Sequence, residues 1–223
     1  MDKVIVVLPA YNEEKTVGKV IDEIRLLGLG YDILVVDNNS TDKTAEIAKA
    51  RGVQYLFVKE QGKGCAISKA FLGSATWDYD CVVMIDADFT YPASYIPILL
   101  KDLGTKYDVV LGWRKYKIRG SMTTTNKFGN YLLTKLACLL YGSNIHDVCT
   151  GLWAFCNEWA YALSGTLESK GFMLEPEMFS RLKKWNLRIG EIPIEYRPRE
   201  GEAKLHIVDG LRIAWCLIRE RFR

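Results

Sequence analysis

The stretch VVMIDAD, residues 82–88, decides the fold of this chain. The apolar run from Val82 to Ile85 is typical of a strand covered on both faces, and Asp86 and Asp88 follow it directly. Open α/β sheets bind ligands at the carboxyl ends of parallel strands. Two carboxylates there can share a divalent ion with a diphosphate, because Mg²⁺ and Mn²⁺ prefer oxygen ligands. The alternative is that the two acids only form an Asp-rich turn. The neighbouring segments must decide between a metal site and a turn.

Three short apolar runs precede this stretch and alternate with helical patterns. The runs are Val4 to Leu8, Ile33 to Val36 and Val53 to Val58. Apolar residues at helical spacing predict a helix between Val17 and Leu27. Ser40 and Thr41 are good N-cap residues for a second helix that runs to Arg51. Alternating strands and helices with right-handed crossovers predict a mostly parallel central sheet with helices on both faces.

The pattern changes after Gly112, where the segment Trp113 to Arg119 is rich in basic and aromatic side chains. We predict an amphipathic helix beyond it, then two strands separated by another helix. These elements are Lys127 to Tyr141, Leu152 to Cys156, Glu177 to Trp185 and Arg188 to Tyr196. The final stretch, Asp209 to Arg223, has an apolar side and several arginines. It is equally typical of a helix on an anionic membrane and of a closing helix packed on the core.

The composition indicates one globular domain. The 223 residues suffice for one α/β core and are too few for two. Hydrophobic residues make up 49% and charged residues 26%, which excludes a disordered chain. The formal charge of +3 is too small for a nucleic-acid-binding surface, so we expect no nucleic-acid partner.

The cysteines and the apolar stretches predict a cytosolic location. Six cysteines occur without CxxC spacing, and the sequence starts at a strand with no signal peptide. The most apolar stretch, Leu132 to Tyr141, contains Thr134 and Lys135. It is also shorter than the roughly 20 residues that span a bilayer. We therefore expect reduced thiols and no membrane span.

Two more polar loops follow predicted strands, at Pro9 to Glu14 and Asp37 to Asp42. The loop residues Pro9, Tyr11, Glu13 and Asp37, followed by the triplet 86–88, resemble in order and spacing the nucleotide-binding half of inverting family-two glycosyltransferases. Those enzymes have the GT-A fold. The resemblance favours the metal-site interpretation of the two acids over the turn.

The resemblance covers nearly the whole chain and looks most like the dolichyl- and polyprenyl-phosphate hexose synthases. In the second half it rests on Gly112-Trp113-Arg114, Asp147, Thr150-Gly151, Phe172, Glu175, Glu177 and the segment Arg199 to Lys204. It implies a single α/β domain over residues 1–223 with the GT-A (nucleotide-diphospho-sugar transferase), Rossmann-like fold. Residues 1–112 would form the nucleotide-sugar-binding half, and residues 113–223 the acceptor half with amphipathic helices.

Matched position by position, the resemblance also implies the site residues. The nucleotide sugar would be bound by Pro9, Ala10, Tyr11, Glu13, Val36, Asp37, Asn38, Lys63, Asp86, Ala87 and Asp88. The acceptor phosphate would be bound by Arg114, Lys127, Arg199 and Lys204, and Mg²⁺ or Mn²⁺ by Asp86, Asp88 and Thr90. Asp88 and Arg114 would have the catalytic roles.

Three positions depart from the family pattern. Asn38 stands where many members have an acid that contacts the base, and an amide donates as well as accepts. UDP- and GDP-linked donors therefore both stay open. Thr90 stands where mannose synthases often have Gln or Ser as a metal ligand. Ala203 replaces a Ser of the basic loop, which leaves the charge to Arg199 and Lys204.

The implied activity is transfer of a hexose, with inversion, to dolichyl or polyprenyl phosphate for glycan assembly. The hexose would be mannose, glucose or N-acetylglucosamine. A lipid phosphate is already anionic near neutral pH, since its second pKa is about 6, so no general base is needed. Catalysis then depends on charge and positioning. The acceptor implies peripheral contact with the cytosolic membrane face, directly or through an integral membrane partner.

Two other functions remain open. A family-two enzyme with a saccharide hydroxyl acceptor would need a base, for which Asp147 and Glu175 are the candidates. A non-catalytic nucleotide-sugar-binding module would be favoured if the acids bound no metal. Nucleotidyl transfer is disfavoured, because the loop Pro9 to Glu14 lacks the glycines that would cradle a triphosphate.

Overall fold

The computed structural model of the protein describes residues 3–76, 78–168, 171, 173–200 and 207–223. The strands are Val4–Ala10 (β1), Asp32–Asp37 (β2), Gln54–Phe57 (β3), Cys81–Ile85 (β4), Val109–Lys117 (β5), Leu152–Cys156 (β6) and Ile189–Tyr196 (β7). The helices are Val17–Leu26 (α1), Thr44–Ala50 (α2), Lys63–Thr76 (α3), Ile96–Lys101 (α4), Thr124–Tyr141 (α5), Asn157–Ser164 (α6), Leu174–Lys184 (α7) and Ile207–Phe222 (α8). A 3₁₀ turn, Ala93–Tyr95, precedes α4.

In the described part of the chain, the strands form one seven-stranded sheet in the order β3-β2-β1-β4-β6-β5-β7. The β1–β2, β1–β4, β2–β3 and β5–β7 pairs are parallel. Only β6 runs the other way, antiparallel to both β4 and β5. The predicted α/β fold with a mostly parallel sheet is confirmed.

Apolar side chains of the central strands are buried on both faces of the sheet. Alternate residues of β1 point to opposite faces, so Ile5 and Val7 belong to one core cluster while Val6 and Leu8 belong to the other. This double burial is why the strands read as continuous apolar runs rather than as an alternation. Polar groups are thereby confined to the loops at the strand ends.

The second helix begins later than we predicted. It starts at Thr44, and Ser40 and Thr41 lie in the preceding loop. Lys43 is the N-cap residue, and Asp42 before it binds the first turn, since its Oδ1 accepts hydrogen bonds from the Thr44 backbone N–H at 2.9 Å and from the Thr44 hydroxyl at 2.5 Å. The Ser40 side chain is used instead to bind the first loop.

The segment after Gly112 is also more regular than predicted. Strand β5 continues through it to Lys117 and pairs with β7, with Trp113 opposite Pro193 and a shift of register between Arg114 and Tyr116. The division between residues 112 and 113 therefore falls inside a strand, and one sheet carries both halves of the chain. Helix α7 begins at Leu174, three residues before the predicted start.

Helices α5 and α8 pack against each other. They contribute to the core cluster on the face of the sheet to which Ile5 and Val7 point. Their apolar side chains are divided between this contact and the surface. Among the helices in the described residues, none is both long enough and apolar enough to cross a membrane.

Candidate functional site

The polar loops after β1, β2 and β4 meet at one edge of the sheet, because these strands are parallel neighbours. They line a cavity of about 590 Å³ that extends to α5, α7 and α8. The predicted site residues that line it are Pro9, Ala10, Tyr11, Glu13, Asn38, Lys63, Asp86, Ala87, Asp88, Arg114 and Arg199. Its volume lies in the range of roughly 300–1,000 Å³ that is common for small-molecule sites.

The first two loops are joined by hydrogen bonds that no sequence pattern revealed. The backbone N–H of Asn12 donates to Ser40 Oγ at 3.0 Å. The N–H of Glu13 donates to Thr44 Oγ1 at 2.8 Å, and Asn12 Oδ1 accepts from the Thr41 N–H at 2.8 Å. These reciprocal bonds fix the position of the Pro9 to Glu14 loop at the cavity wall.

Val36 and Asp37 support this edge but do not line the cavity. Val36 is fully buried in β2. Both carboxylate oxygens of Asp37 have partners, since Oδ1 accepts from the Ser40 N–H at 2.9 Å and Oδ2 from the Tyr55 hydroxyl at 2.7 Å. These two bonds hold the loop, and the predicted base contact of Asp37 stays a prediction.

Asn38 lines the cavity, but its amide is used to hold a third loop. Its Nδ2 donates to the Glu60 carbonyl at 2.7 Å, and its Oδ1 accepts from the Gly62 N–H at 2.7 Å. A carboxylate at this position could not make the donated bond. The Asn at this position is thus explained by the loop that leads into Lys63 and α3.

The two acids of the DxD motif are each paired with a cation. Lys63 Nζ lies 2.5 Å from Asp86 Oδ1 and 2.5 Å from Glu175 Oε1. Arg199 contacts Asp88 Oδ2 at 2.9 Å and Glu13 Oε1 at 2.5 Å. Residues from five distant segments thereby converge on one acidic centre.

The electrostatics of this centre favour bound positive charge. Burial raises the pKa of Asp88, and the neighbouring Asp86 raises it further, whereas Arg199 lowers it. Burial opposes charge on Lys63, but Asp86 and Glu175 outweigh it and hold the Lys63 pKa above its usual value. The excess of carboxylates is what a divalent cation would relieve.

Gly151 makes room for one of these carboxylates. A Cβ at this position would lie 2.5 Å from Asp86 Cγ, closer than real side chains pack. The backbone N–H of Gly151 donates to the Tyr91 hydroxyl at 2.7 Å, which holds the segment in place. The Thr150-Gly151 motif therefore acts by close approach of the backbone to Asp86.

The residues present fit a hard divalent ion completed by substrate. Asp86 and Asp88 supply oxygen ligands, and the cavity beside them is open to a diphosphate. Among the described residues, no group of three or more His, Cys, Asp or Glu side chains is arranged to hold a metal alone. The ion would therefore need phosphate oxygens as further ligands.

Thr90 holds Asp88 and does not line the cavity. Its hydroxyl donates to Asp88 Oδ1 at 2.5 Å, and its backbone N–H donates to the same oxygen at 3.1 Å. The side chain is fully buried. The two hydrogen bonds fix the orientation of the Asp88 carboxylate, and the predicted ligand role of Thr90 stays a prediction.

Arg114 forms a buried ion pair in the cavity wall. Its Nε and Nη2 lie 2.6 and 2.7 Å from the two oxygens of Asp147. Asn130 Nδ2 donates to Asp147 Oδ1 at 3.0 Å. Burial alone would raise the pKa of Asp147, but the Arg114 guanidinium holds it below its usual value. Asp147 is therefore ionised at neutral pH.

Of four further predicted positions, two lie away from the cavity and two lie outside the described residues. Lys127 is exposed on α5 and does not line the cavity. Lys204 and Phe172 lie outside the described residues. Glu177 is fully buried and accepts hydrogen bonds from Arg181 at 2.6 Å and from the Glu168 N–H at 3.0 Å, away from the cavity.

Several cavity residues were missed by the sequence patterns. They are Gln61, Tyr91, Ser121, Asn126, Asn130, Leu133 and Tyr196. A usable signal exists for α5, because Asn126, Asn130 and Leu133 recur at the three- and four-residue spacing of one helix face. Two amides on one face of α5 indicate that this face contacts a polar site.

A Rossmann-like sheet whose carboxyl edge bears a DxD pair beside a cavity of this size defines a nucleotide-sugar transferase of the GT-A fold. Residues 5–163 match the family model described as Glycosyl transferase family 2. The chain belongs to this family, and the protein is a glycosyltransferase.

Three similar proteins illustrate the relationship. A dolichyl-phosphate hexose transferase of Haloferax volcanii is 36% identical over 92% of this chain and 87% of its own length. An undecaprenyl-phosphate mannosyltransferase of Micrococcus luteus is 28% identical over 91% of this chain and 87% of its own. The glucosyl-3-phosphoglycerate synthase of Mycobacterium tuberculosis, solved with Mn²⁺, UDP and glucosyl-3-phosphoglycerate, superposes with a TM-score of 0.74 at 23% identity. That superposition covers 98% of this chain and 78% of the other, and it supports the fold.

Proposed function

We propose that the protein transfers a hexose from a UDP- or GDP-linked donor to a dolichyl or polyprenyl phosphate, with inversion at the anomeric carbon. One observation carries the proposal: the cavity runs from the acidic centre at the DxD motif to the helices α5 and α8, whose outer faces are apolar. The names of the Haloferax and Micrococcus relatives support a lipid phosphate as the acceptor class.

The donor is assigned to the loops at the carboxyl edge of β1, β2 and β4. Pro9, Ala10 and Tyr11 line this end of the cavity together with Asn38. The diphosphate is assigned to the acidic centre, where Arg199 supplies a further positive charge. Mg²⁺ or Mn²⁺ bound by the two acids supplies charge neutralisation for the departing diphosphate.

The pairing of the remaining carboxylates supports a phosphate acceptor over a hydroxyl acceptor. Asp147 is neutralised by a bidentate contact with Arg114, and Glu175 is paired with Lys63. A general base needs a carboxylate that is free to take a proton from the acceptor. An anionic phosphate needs none, because its oxygen is already a nucleophile.

The acceptor phosphate is assigned to Arg114 and Arg199, which both line the cavity. The Arg114 guanidinium has five N–H groups, and the contact with Asp147 uses two of them. The remaining groups are the ones that we assign to the phosphate. These two cations would hold the phosphate in line with the anomeric carbon.

Helix α8 supports a contact with the membrane. Its exposed apolar residues recur at three- and four-residue spacing and form one stripe: Val208, Leu211, Trp215, Ile218 and Phe222. A second, buried stripe with Ile213 and Leu217 packs on the core. The helix therefore has apolar surface left over after its packing is complete, which is typical of an interfacial helix.

Helix α5 extends this surface with the exposed side chains of Phe128, Tyr131, Leu132 and Leu139. The C-terminal segment has four arginines, of which Arg212, Arg219 and Arg223 form ion pairs with acids and Arg221 is exposed. Its four arginines and two acids, Asp209 and Glu220, leave the segment with a net positive charge. Such a surface would dock peripherally on anionic headgroups and bring the cavity to the phosphate of an embedded lipid. All six cysteines are free, which supports a face in contact with a reducing cytosol.

The test is a transfer assay with purified protein, Mg²⁺ or Mn²⁺, dolichyl or undecaprenyl phosphate in detergent, and a panel of UDP- and GDP-hexoses. Mass spectrometry would detect a lipid-phosphate hexose from one donor, with none from the Asp88→Ala variant. Donor hydrolysis without glycolipid would move the acceptor to a saccharide. Donor binding without turnover would leave a non-catalytic nucleotide-sugar-binding module, and absence of donor binding would reject the proposal.

A further inference from the structure

Two side-chain oxygens in the cavity wall are buried and have no hydrogen-bond partner within the described residues. They are Ser121 Oγ and Asn130 Oδ1, and both residues line the cavity. Buried polar atoms are nearly always paired, because an unpaired one costs about 1–3 kcal/mol. Two such atoms on one cavity therefore point to a ligand that supplies the partners.

The chemistry of that ligand follows from the orientation of the Asn130 amide. Its nitrogen must face Asp147, because an ionised carboxylate only accepts hydrogen bonds, and the observed distance is 3.0 Å. The amide oxygen is consequently the atom left without a partner. An oxygen that only accepts needs a donor, which excludes an ionised phosphate and fits the hydroxyl group of a sugar.

The location of Asn130 relative to the DxD acids supports the same assignment. The segment from Asp147 to Gly151 connects the two, since Asp147 binds Asn130 at one end and Gly151 packs on Asp86 at the other. Both Asp86 and Asp147 are near enough to the buried Tyr91 to add to the rise that burial causes in its pKa. A hexose attached to a diphosphate at the acidic centre would lie in this part of the cavity.

We propose that Asn130 and Ser121 bind hydroxyl groups of the transferred hexose and thereby determine which sugar is used. Asn130 Oδ1 accepts a hydrogen bond from one hydroxyl, and Ser121 Oγ contacts a second. This inference rests on the proposed function for the existence of a hexose donor. It adds the residues that contact the hydroxyl groups of that hexose.

The experiment compares the natural donor hexose with its monodeoxy analogues in the wild-type protein and in Asn130→Ala. We expect the wild-type protein to lose about tenfold in kcat/KM with one analogue, the size of one hydrogen bond. Asn130→Ala should lose about as much with the natural hexose and nothing further with that analogue. Ser121→Ala should likewise lose activity with the natural hexose and nothing further with the analogue that lacks a different hydroxyl. This second variant tests the proposal if Asn130→Ala does not fold.

A structural role through Asp147 gives a different result. If Asn130 only positioned Asp147 and Arg114, the variant would lose activity equally with every analogue, and the proposal would be overturned. Asn144→Ala is the matched control, because Asn144 is exposed beyond the far end of α5 and outside the cavity. It should behave as wild type with every donor.

Calorimetric titration with Mn²⁺ separates this proposal from the proposed function. We expect the nucleotide sugar to bind more tightly than the nucleoside diphosphate, and Asn130→Ala to lose most of that difference. This result without any lipid-linked product would leave the sugar site standing and reject the lipid acceptor. If lipid-linked product forms, but the difference in affinity between nucleotide sugar and nucleoside diphosphate is unchanged in the Asn130 and Ser121 variants, the sugar site alone is rejected.

Discussion

Gly151 lies against the carboxylate of Asp86, one of the two acids of the DxD motif. No side chain fits here, because a Cβ would overlap the Asp86 carboxylate. Asp86 is also held from the other side by Lys63 at 2.5 Å, so it cannot move away without breaking an ion pair. The position of the Asp86 carboxylate thus depends on the absence of a side chain at Gly151.

We expect Gly151→Ala to lower transfer activity by at least about tenfold, since catalytic groups tolerate displacements of only about 0.5 Å. Metal-dependent donor binding should weaken in parallel when measured by calorimetry. Gly165→Ala is the control, because a Cβ there meets nothing within 4 Å. Full activity of Gly151→Ala would mean that Asp86 is not a ligand.

The Arg114–Asp147 pair is the other residue-level feature with a measurable consequence. We expect Asp147→Asn to lower the free energy of unfolding by about 3–5 kcal/mol, because it leaves a buried guanidinium without its counter-charge. Urea denaturation measures this. Asp78→Asn breaks an exposed pair with Lys3 and should cost less than about 1 kcal/mol. Equal losses in the two variants would contradict a buried, energetically important pair.

The sign of the pH dependence follows from the depressed pKa of Asp147. A carboxylate whose pKa is lower in the folded state stabilises the fold at pH values above its ordinary pKa of 3.8. That contribution is lost as the pH falls through the lower folded pKa. The stability of the wild-type protein should therefore fall on acidification below about pH 4, and Asp147→Asn should lack this component.

At the scale of elements, α8 has two apolar stripes where one would suffice for packing. The buried stripe contains Ile213, Cys216 and Leu217, and the exposed stripe contains Leu211 and Trp215. Sequence periodicity alone left the role of this helix open. Its packing on α5 and α7 determines which stripe belongs to the core and which remains exposed.

We expect Leu211→Ser combined with Trp215→Ser to reduce binding to vesicles that contain anionic lipid by at least about tenfold. Each side chain is worth about 1.5–3 kcal/mol when fully buried in an apolar phase. Vesicle co-sedimentation measures the bound fraction. Leu26→Ser with Leu29→Ser changes two exposed leucines at the end of α1 and serves as the control. Unchanged vesicle binding of the α8 variant would reject this surface.

At the scale of the whole molecule, the acidic centre joins distant parts of the chain. Glu13, Lys63, Asp88, Glu175 and Arg199 come from five segments and meet through ion pairs of 2.5–2.9 Å. Ligand binding at such a centre should stabilise the entire fold, because the unfolded chain has no comparable site.

We expect Mn²⁺ and a nucleoside diphosphate to raise the Tm together by about 5–10 °C, and either one alone to raise it much less. Stabilisation at about a hundredfold excess over Kd is about 2.7 kcal/mol, and a domain of this size gains about 2–4 °C per kcal/mol. Differential scanning fluorimetry measures the shift. Chelation of the metal and the Asp88→Asn substitution should each abolish the joint effect. A large shift with metal alone would indicate a complete protein ligand set.

The mostly parallel sheet and the polar loops at its carboxyl edge were predictable from the sequence, and so was the position of the two DxD acids at that edge. Strands buried on both faces leave uninterrupted apolar runs, and acids placed directly after such a run can only lie at the sheet edge. Strand β6 agreed with the predicted range from Leu152 to Cys156. These features are local, so a short window of residues contains the necessary information.

The tertiary structure was needed to decide which polar side chains face the cavity and which bind neighbouring loops. Asp37 and Thr90 follow strands as ligands would, yet their oxygens bind neighbouring loop atoms and not the cavity. Asn130, by contrast, has no motif and reaches the cavity because α5 packs beside Asp147. Whether an oxygen faces a ligand or a neighbour depends on partners dozens of residues away, and hydrophobic periodicity carries no information about those partners.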